Sequence, residues 1–101
     1  MAGNKIEIWG RLIGEAELRI TPAGTAVLRT RMEFAEQSGD DAMAIVMTGD
    51  SAKDIHASLK AGANIRVNGS LKSVRRRLKS GIFETGYEVI ADSIKLEERQ
   101  H

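Results

Sequence analysis

Apolar and polar residues alternate along much of the chain, and this period of two predicts β-strands with one buried face. The first predicted strand begins at Lys5, with isoleucines facing the core and Trp9 facing outward with the charged residues. Gly10 interrupts the alternation as a bulge or sharp bend would, and the pattern resumes briefly at residues 18–20. The sequence of residues 21–24, Thr-Pro-Ala-Gly, then predicts a turn, because proline presets φ and glycine tolerates a positive φ.

A second strand is predicted from Thr25 to Glu36, and the apolar run of residues 42–48 predicts a third. Every other residue from Ala26 to Phe34 falls on one face of the second strand, which predicts the core face. Arg29 and Arg31 fall on the opposite face, toward solvent or a ligand. Residues 37–41 predict the hairpin loop that joins the two strands.

Residues 50–60 form the only segment with a helical period. Ala52, Ile55, His56 and Leu59 fall at i, i+3, i+4 and i+7, on one face of a helix. Asp50 is expected to cap its N-terminus, and Gly62 to take the left-handed conformation that ends it. The histidine on the apolar face has no second histidine nearby, so a half-buried structural role is expected rather than a metal site.

A fourth strand is predicted from Asn64, and a fifth runs from Ile82 to Leu96 after a turn at residues 80–81. Five strands with one helix between the third and fourth make the layout of the OB-fold, a small all-β Greek-key barrel. The helix is expected to close one end of that barrel. Residues 1–101 are therefore expected to form a single OB-fold domain.

The charges are distributed unevenly along the chain. The stretch from residue 66 to residue 79 contains no acidic residue and six of the 15 basic ones, which are Arg66, Lys72, Arg75, Arg76, Arg77 and Lys79. Nine basic and 14 acidic residues remain elsewhere, so the rest of the chain carries a net charge of −5. A basic run can be a solvated loop, but here it follows the fourth strand beside the ligand groove of an OB-fold. We therefore expect the run to lead into the hairpin between the fourth and fifth strands, with Arg75, Arg76 and Arg77 at a flexible tip that contacts nucleic acid.

Several classes of function are excluded or disfavoured by the composition. The chain has no cysteine, which removes disulfides and thiolate chemistry and is compatible with a reducing cytoplasm. No apolar run reaches the roughly 20 residues of a membrane helix, and the N-terminal residues do not resemble a signal peptide. No nucleophile elbow, phosphate loop or metal-ligand cluster is present. We expect a protein that is not an enzyme and that binds no metal or cofactor.

Two blocks of sequence resemble the opening of bacterial single-stranded DNA-binding proteins. They are residues 4–12, NKIEIWGRL, and residues 17–27, ELRITPAGTAV. The similarity resumes at residues 49–71 and ends with residues 87–94, YEVIADSI, so it covers nearly the whole chain. The resemblance implies an OB-fold homo-oligomer that binds single-stranded DNA in replication, repair or replication restart, in a bacterial or phage setting and in the cytoplasm.

Two members of this superfamily remain alternatives. The first block favours the general single-strand binder, usually a tetramer with an acidic tail. The length of 101 residues favours primosomal replication protein N, a small dimer without that tail. A truncated chain or a short phage- or plasmid-type binder agrees equally well with both observations.

The DNA-binding residues predicted from this resemblance combine the basic stretch with outward residues of other strands. They are Arg29, Arg31, Arg66, Lys72, Arg75, Arg76, Arg77, Lys79, Trp9, Phe83 and Tyr87. For the two second-strand arginines, the alternative is ion pairing with Glu17, Glu33 or Glu88. Trp9 is either a base platform or an oligomer contact, because the first strand pairs subunits in this superfamily.

Aromatic residues are scarce where relatives stack bases. The third predicted strand contains none, and Phe34 on the second is expected in the core. Phe83 and Tyr87 either stack bases or pack against the hairpin. Base stacking contributes about 1–3 kcal/mol per base, so the basic stretch should carry a larger share of the affinity here. The same scarcity favours a rival hypothesis, an OB-fold module that docks an acidic replication partner; RNA binding is a more distant one.

Overall fold

The computed structural model describes residues 3–34 and 42–97. The predicted hairpin loop of residues 37–41 and the end of the second predicted strand lie outside these residues. The elements are β1 (Ile6–Leu12), β2 (Glu17–Ile20), β3 (Ala26–Glu33), β4 (Met43–Thr48), α1 (Asp50–His56), β5 (Asn64–Arg77) and β6 (Phe83–Leu96).

The strands form one sheet that closes on itself. Their order is β1-β5-β6-β4-β3-β2, and β1 also pairs with β3 where Arg11 and Leu12 lie opposite Glu33 and Met32. Each pairing is antiparallel except that of β4 with β6. A closed ring with one helix between the third and fourth long strands confirms the predicted all-β OB-fold.

The first predicted strand is divided into β1 and β2 by residues 13–16. Gly10 stands where β1 meets β3, since a Cβ built on it would lie 2.3 Å from the carbonyl oxygen of Glu33. The break in the alternation at this glycine therefore marks the close backbone approach that completes the ring.

The helix is shorter than predicted and begins differently. It ends at His56 rather than Lys60, and Gly49 is its N-cap residue, with φ +91° and no side-chain hydrogen bond. Asp50 is consequently a first-turn residue, and the prediction that it caps the helix was wrong. Gly62 does take a positive φ, +87°, but six residues beyond the helix, where its N–H donates to the Leu12 carbonyl.

The helix is fastened to the segment between β1 and β2 by its last residue. His56 is half-buried, and its Nε2 lies 3.0 Å from the carbonyl oxygen of Ala16. A carbonyl can only accept, so Nε2 carries the proton in this bond. This contact confirms the structural role expected for the histidine.

The core is built from the inward rows of the strands. The largest side chains with less than 2% exposure are Leu12, Leu28, Met32, Ile45, Ile65, Val67 and Val89. Phe34 is half-buried and packs against this cluster, as predicted. One polar side chain, Thr30, lies in the same interior at 5% exposure.

Gly69 sits at a register shift in the pairing of β5 with β6. A Cβ there would lie 2.1 Å from the carbonyl oxygen of Ile90 and 3.0 Å from the Cα of Ala91. We predict that Gly69→Ala lowers the free energy of unfolding by about 1–3 kcal/mol, because backbone must move to admit the methyl group. Urea unfolding at fixed protein concentration measures it. Gly86→Ala on β6, with no atom within 4 Å of its Cβ, is the control and should change stability by less than about 0.5 kcal/mol.

Thr30 generates a second stability prediction. Within the described residues its Oγ1 has no hydrogen-bond partner, although the side chain is buried. Thr30→Val removes the unpaired hydroxyl at constant shape, so it should raise the free energy of unfolding by about 1 kcal/mol. Thr30→Ser keeps the hydroxyl and loses a methyl group, so it should lower stability by a similar amount. Equal effects of the two substitutions in the same urea experiment would contradict this account.

Candidate nucleic-acid interface

Strands β5 and β6 remain paired far along the hairpin and form an arm. We define the arm as residues 72–77 of β5, residues 83–88 of β6 and the turn of residues 78–82 between them. Arg77 lies opposite Phe83 as the last pair of the ladder, and Leu78 donates its N–H to the Ile82 carbonyl in the turn. Gly81 turns the chain with φ +90°. Arg75, Arg76 and Arg77 are thus strand residues, and the expectation of a flexible tip was wrong because the ladder continues to its end.

The alternation of a strand sorts the arm's side chains onto two faces. Residues directly opposite each other in the ladder share a face. One face, here named the aromatic face, carries Ser73, Arg75, Arg77, Phe83, Thr85 and Tyr87. The other, named the charge-paired face, carries Lys72, Val74, Arg76, Glu84, Gly86 and Glu88. The basic run therefore does not act as one surface.

The aromatic face combines cations with exposed rings and has no acidic residue. The Cζ of Arg75 lies 4.5 Å from the centroid of the Phe83 ring, and that of Arg77 lies 5.9 Å from it. The side chains of Phe83 and Tyr87 are 50% and 55% exposed, so neither belongs to the barrel core. This face offers rings and guanidinium planes for stacking together with positive charge that no carboxylate of residues 3–34 and 42–97 pairs with.

On the charge-paired face each cation has a carboxylate opposite it. Lys72 lies opposite Glu88, and Arg76 lies opposite Glu84. Opposite charges at directly paired positions attract each other across the strands. The same number of basic side chains therefore produces a weaker positive potential here than on the aromatic face. Lys79 lies exposed in the turn, at the end of both faces.

Arg29 and Arg31 project from the outer face of β3, as predicted, but their surroundings differ. Arg29 donates from Nη1 to Glu88 Oε2 at 3.0 Å, which is one of the ion pairs expected as the alternative to phosphate contact. Glu17 and Glu33 pair elsewhere, with Arg19 and Arg11. Arg31 is exposed and forms no ion pair within residues 3–34 and 42–97.

Trp9 and Arg66 lie on a different side of the barrel. They are opposite each other in the β1–β5 pairing, with the Arg66 Cζ 5.6 Å from the Trp9 ring centroid. Arg66 also pairs with Glu97, so its charge is compensated. Arg66 precedes Lys72 by six residues on β5, which is about 20 Å along an extended strand, so this pair lies far from the arm. The structure therefore divides the predicted residues among the two faces of the arm, its turn, the outer face of β3 and this β1–β5 pair.

Sequence reasoning named Glu88 as a possible partner of the second-strand arginines, but it missed Glu84 and the position of both carboxylates opposite the basic run. Glu84 and Glu88 follow the basic run and meet it only when the hairpin register is known. Ser73 and Thr85, which share the aromatic face, were missed for the same reason. Counting pairs outward from the turn at residues 80–81 is the signal that could have identified them.

The described residues contain neither a metal-binding cluster nor a membrane-spanning helix. Within residues 3–34 and 42–97, no cluster of three histidines, cysteines or carboxylates has the geometry to hold a metal ion. In the same part of the chain, no helix has the length and apolar character needed to cross a membrane.

Comparisons with known proteins point to one family. The model of the single-strand binding protein family matches residues 3–97. The chain is 29% identical to single-stranded DNA-binding protein 2 of Streptomyces coelicolor, over 93% of this chain and 53% of that protein. It is 32% identical to single-stranded DNA-binding protein 2 of Listeria innocua, over 97% of this chain and 67% of the relative. The single-stranded DNA-binding protein of Mycolicibacterium smegmatis is 33% identical, over 93% and 64%. The chain thus spans between about half and two thirds of the length of these relatives.

Proposed function

The chain belongs to the single-strand binding protein family, and from this premise we propose that it binds single-stranded DNA without sequence specificity. The family consists of DNA-binding proteins that are not enzymes, in agreement with the expectation from the sequence. One observation carries the proposal: the aromatic face of the arm presents two arginines and two exposed rings with no carboxylate among them.

This combination suits a flexible single strand. Positive side chains track the phosphates, while rings and guanidinium planes stack on bases of any identity. Every base has a π-face, so stacking contributes affinity without reading sequence. We infer that the strand crosses the aromatic face and passes around the arm to Arg31 on β3. Arg66 and Trp9 are not part of this path, because they lie on another surface.

We assign the protein to single-stranded intermediates of DNA replication, repair or replication restart in a bacterial or phage cytoplasm. The basis is the resemblance of the sequence and the names of its relatives, which are single-stranded DNA-binding proteins. Both the general binder and the primosomal protein fit such a role.

We further propose that the functional unit is a homo-oligomer joined through β1. Along residues 6–10, β1 has a partner strand within the described chain on one edge only, which is β5. An open strand edge is a template for pairing with another strand. Trp9 is 59% exposed on the outer surface of this strand, as expected of an aromatic side chain at an interface. This assigns Trp9 to the oligomer contact rather than to DNA.

The two faces of the arm give a direct test of the binding surface. We predict that Arg75→Ala/Arg77→Ala weakens binding of fluorescein-labelled oligo-dT much more than Lys72→Ala/Arg76→Ala, although both remove two positive charges. The reason is that Lys72 and Arg76 already face carboxylates. Anisotropy titrations at several salt concentrations should show the log–log salt slope falling by about 1.4 for the first variant, using about 0.7 per phosphate contact.

The same titrations also test the salt dependence expected of the wild-type protein. If Arg31, Arg75, Arg77 and Lys79 each neutralise one phosphate, the slope should be about −2.8. No binding at low salt, or a slope near zero, would overturn the proposed function. Equal losses for the two double variants would mean that only net charge matters. Full DNA affinity in the Arg75→Ala/Arg77→Ala variant would instead favour the rival hypothesis that the arm docks an acidic protein.

The proposed homo-oligomer is tested by measuring the mass of the protein in solution. Light scattering should give a mass that is a multiple of the 11.0 kDa chain, with and without oligo-dT. Trp9→Lys places a charge in the proposed contact, so it should shift the mass toward the single chain while leaving arm-dependent DNA binding detectable. The control is Tyr87→Lys, which is exposed on the arm and should leave the mass unchanged. A wild-type mass of 11.0 kDa would refute the contact.

A further inference from the structure

Four neighbouring strands each place one residue in a single row on the outer surface of the barrel, and three of these residues are charged. Arg31 of β3, Ala44 of β4, Glu88 of β6 and Lys72 of β5 lie opposite one another in successive pairings. Arg29 stands in the adjacent row, opposite Val46 of β4. One carboxylate therefore lies among three cations on the surface that joins the arm to the barrel.

The carboxylate of Glu88 is held in place. Its side chain is only 12% exposed, and Oε2 accepts the 3.0 Å hydrogen bond from Arg29 Nη1. The bond crosses β4, where the outward side chains are those of Ala44 and Val46, which are short. Arg29 itself is 57% exposed, so its guanidinium is bound at one end and open to solvent elsewhere.

A phosphate arriving at Arg29 would meet this carboxylate. Both anions seek the same donors, and their like charges repel each other. We propose that Glu88 is a built-in competitor for the DNA phosphate: it occupies Arg29 in the free protein and thereby restrains the affinity of the site. This proposal rests on the proposed function, since it concerns how the same surface holds single-stranded DNA.

Lys72 makes the exchange feasible. It lies directly opposite Glu88 in the β5–β6 ladder, on the same face. When Arg29 turns to a phosphate, Glu88 keeps this cation as a neighbour and is not left as an uncompensated half-buried charge. The site can therefore alternate between Arg29–Glu88 and Arg29–phosphate without the large cost of stranding a carboxylate.

The first test replaces the carboxylate by its neutral isostere. Glu88→Gln should tighten binding of labelled oligo-dT about two- to fivefold at low salt, the range expected for a partly exposed ion pair. It should also steepen the log–log salt slope by about 0.7, because Arg29 becomes available for one more phosphate. Glu84→Gln is the matched control: it lies on the same strand and face and makes the same change in net charge, but no ion pair joins its side chain to Arg29.

The second test begins with a comparison that does not require the Glu88 variant. Arg29→Gln should weaken binding less than Arg31→Gln, because Arg29 is already engaged by Glu88 whereas Arg31 has no ion pair in the described part of the chain. In an Arg29→Gln background, Glu88→Gln should lose its advantage over Glu84→Gln. Such a double-mutant cycle isolates the coupling between the two positions.

The possible outcomes distinguish failure of the Glu88 proposal from failure of the proposed DNA binding. Equal tightening by Glu88→Gln and Glu84→Gln would reduce the effect to net charge and overturn the inference. Weaker binding by Glu88→Gln would show that Glu88 positions Arg29 instead of masking it, and would overturn it as well. In both cases the wild type still binds oligo-dT. Absence of wild-type binding at low salt would reject the proposed function itself.

Discussion

The pairing of β5 with β6 is the interaction on which the rest of the structure depends. Its ladder begins at Ile65 opposite Leu96 and continues to Arg77 opposite Phe83, so the same two strands supply barrel wall and arm. In the barrel, the inward row of β5 contains Ile65 and Val67, which are fully buried. At Gly69 the register shifts, and the backbone of β6 leaves no room for a Cβ. Any change that separates these strands therefore disturbs the core and the arm together.

The pleat of this pair also determines the electrostatics of the surface. The inward row continues beyond the core as Leu71, Ser73, Arg75 and Arg77, which are exposed in the part of the chain that the structure describes. Consecutive residues of the basic run consequently alternate between a face without carboxylates and a face on which carboxylates lie opposite each cation. The run looks uniform in sequence. Arg76 nevertheless lies opposite a carboxylate, whereas Arg75 and Arg77 lie on the face that has none. Counting charges along the chain cannot describe such a surface; counting them by face can.

The sequence predicts those features that depend on local pattern. Period-two alternation locates the strands and the core face that carries Leu28 and Met32, and the turn residues locate the ends of the arm. It does not predict features that depend on distant backbone. Gly49 begins the helix because its N–H is bound to the Ala26 carbonyl, and no local pattern near residue 50 contains that information. The pairing of Arg66 with Glu97 likewise arises only when β5 and the end of β6 are side by side. The candidate site was thus predicted as a list of residues, but its division into surfaces required the register.

The scarcity of aromatic residues takes on a different meaning in the folded arm. Arg75 lies over the ring of Phe83, with its Cζ 4.5 Å from the ring centroid, and remains exposed. A ring supports the guanidinium in this position and reduces the conformational freedom that a long side chain would lose on binding. Guanidinium planes stack on bases as rings do, and they also carry charge. In the proposed complex, one arginine on one ring would therefore provide both a stacking platform and a phosphate partner. Loss of stacking residues from β4 need not weaken binding in proportion to their number, because on the arm the two contributions reside in the same side chain.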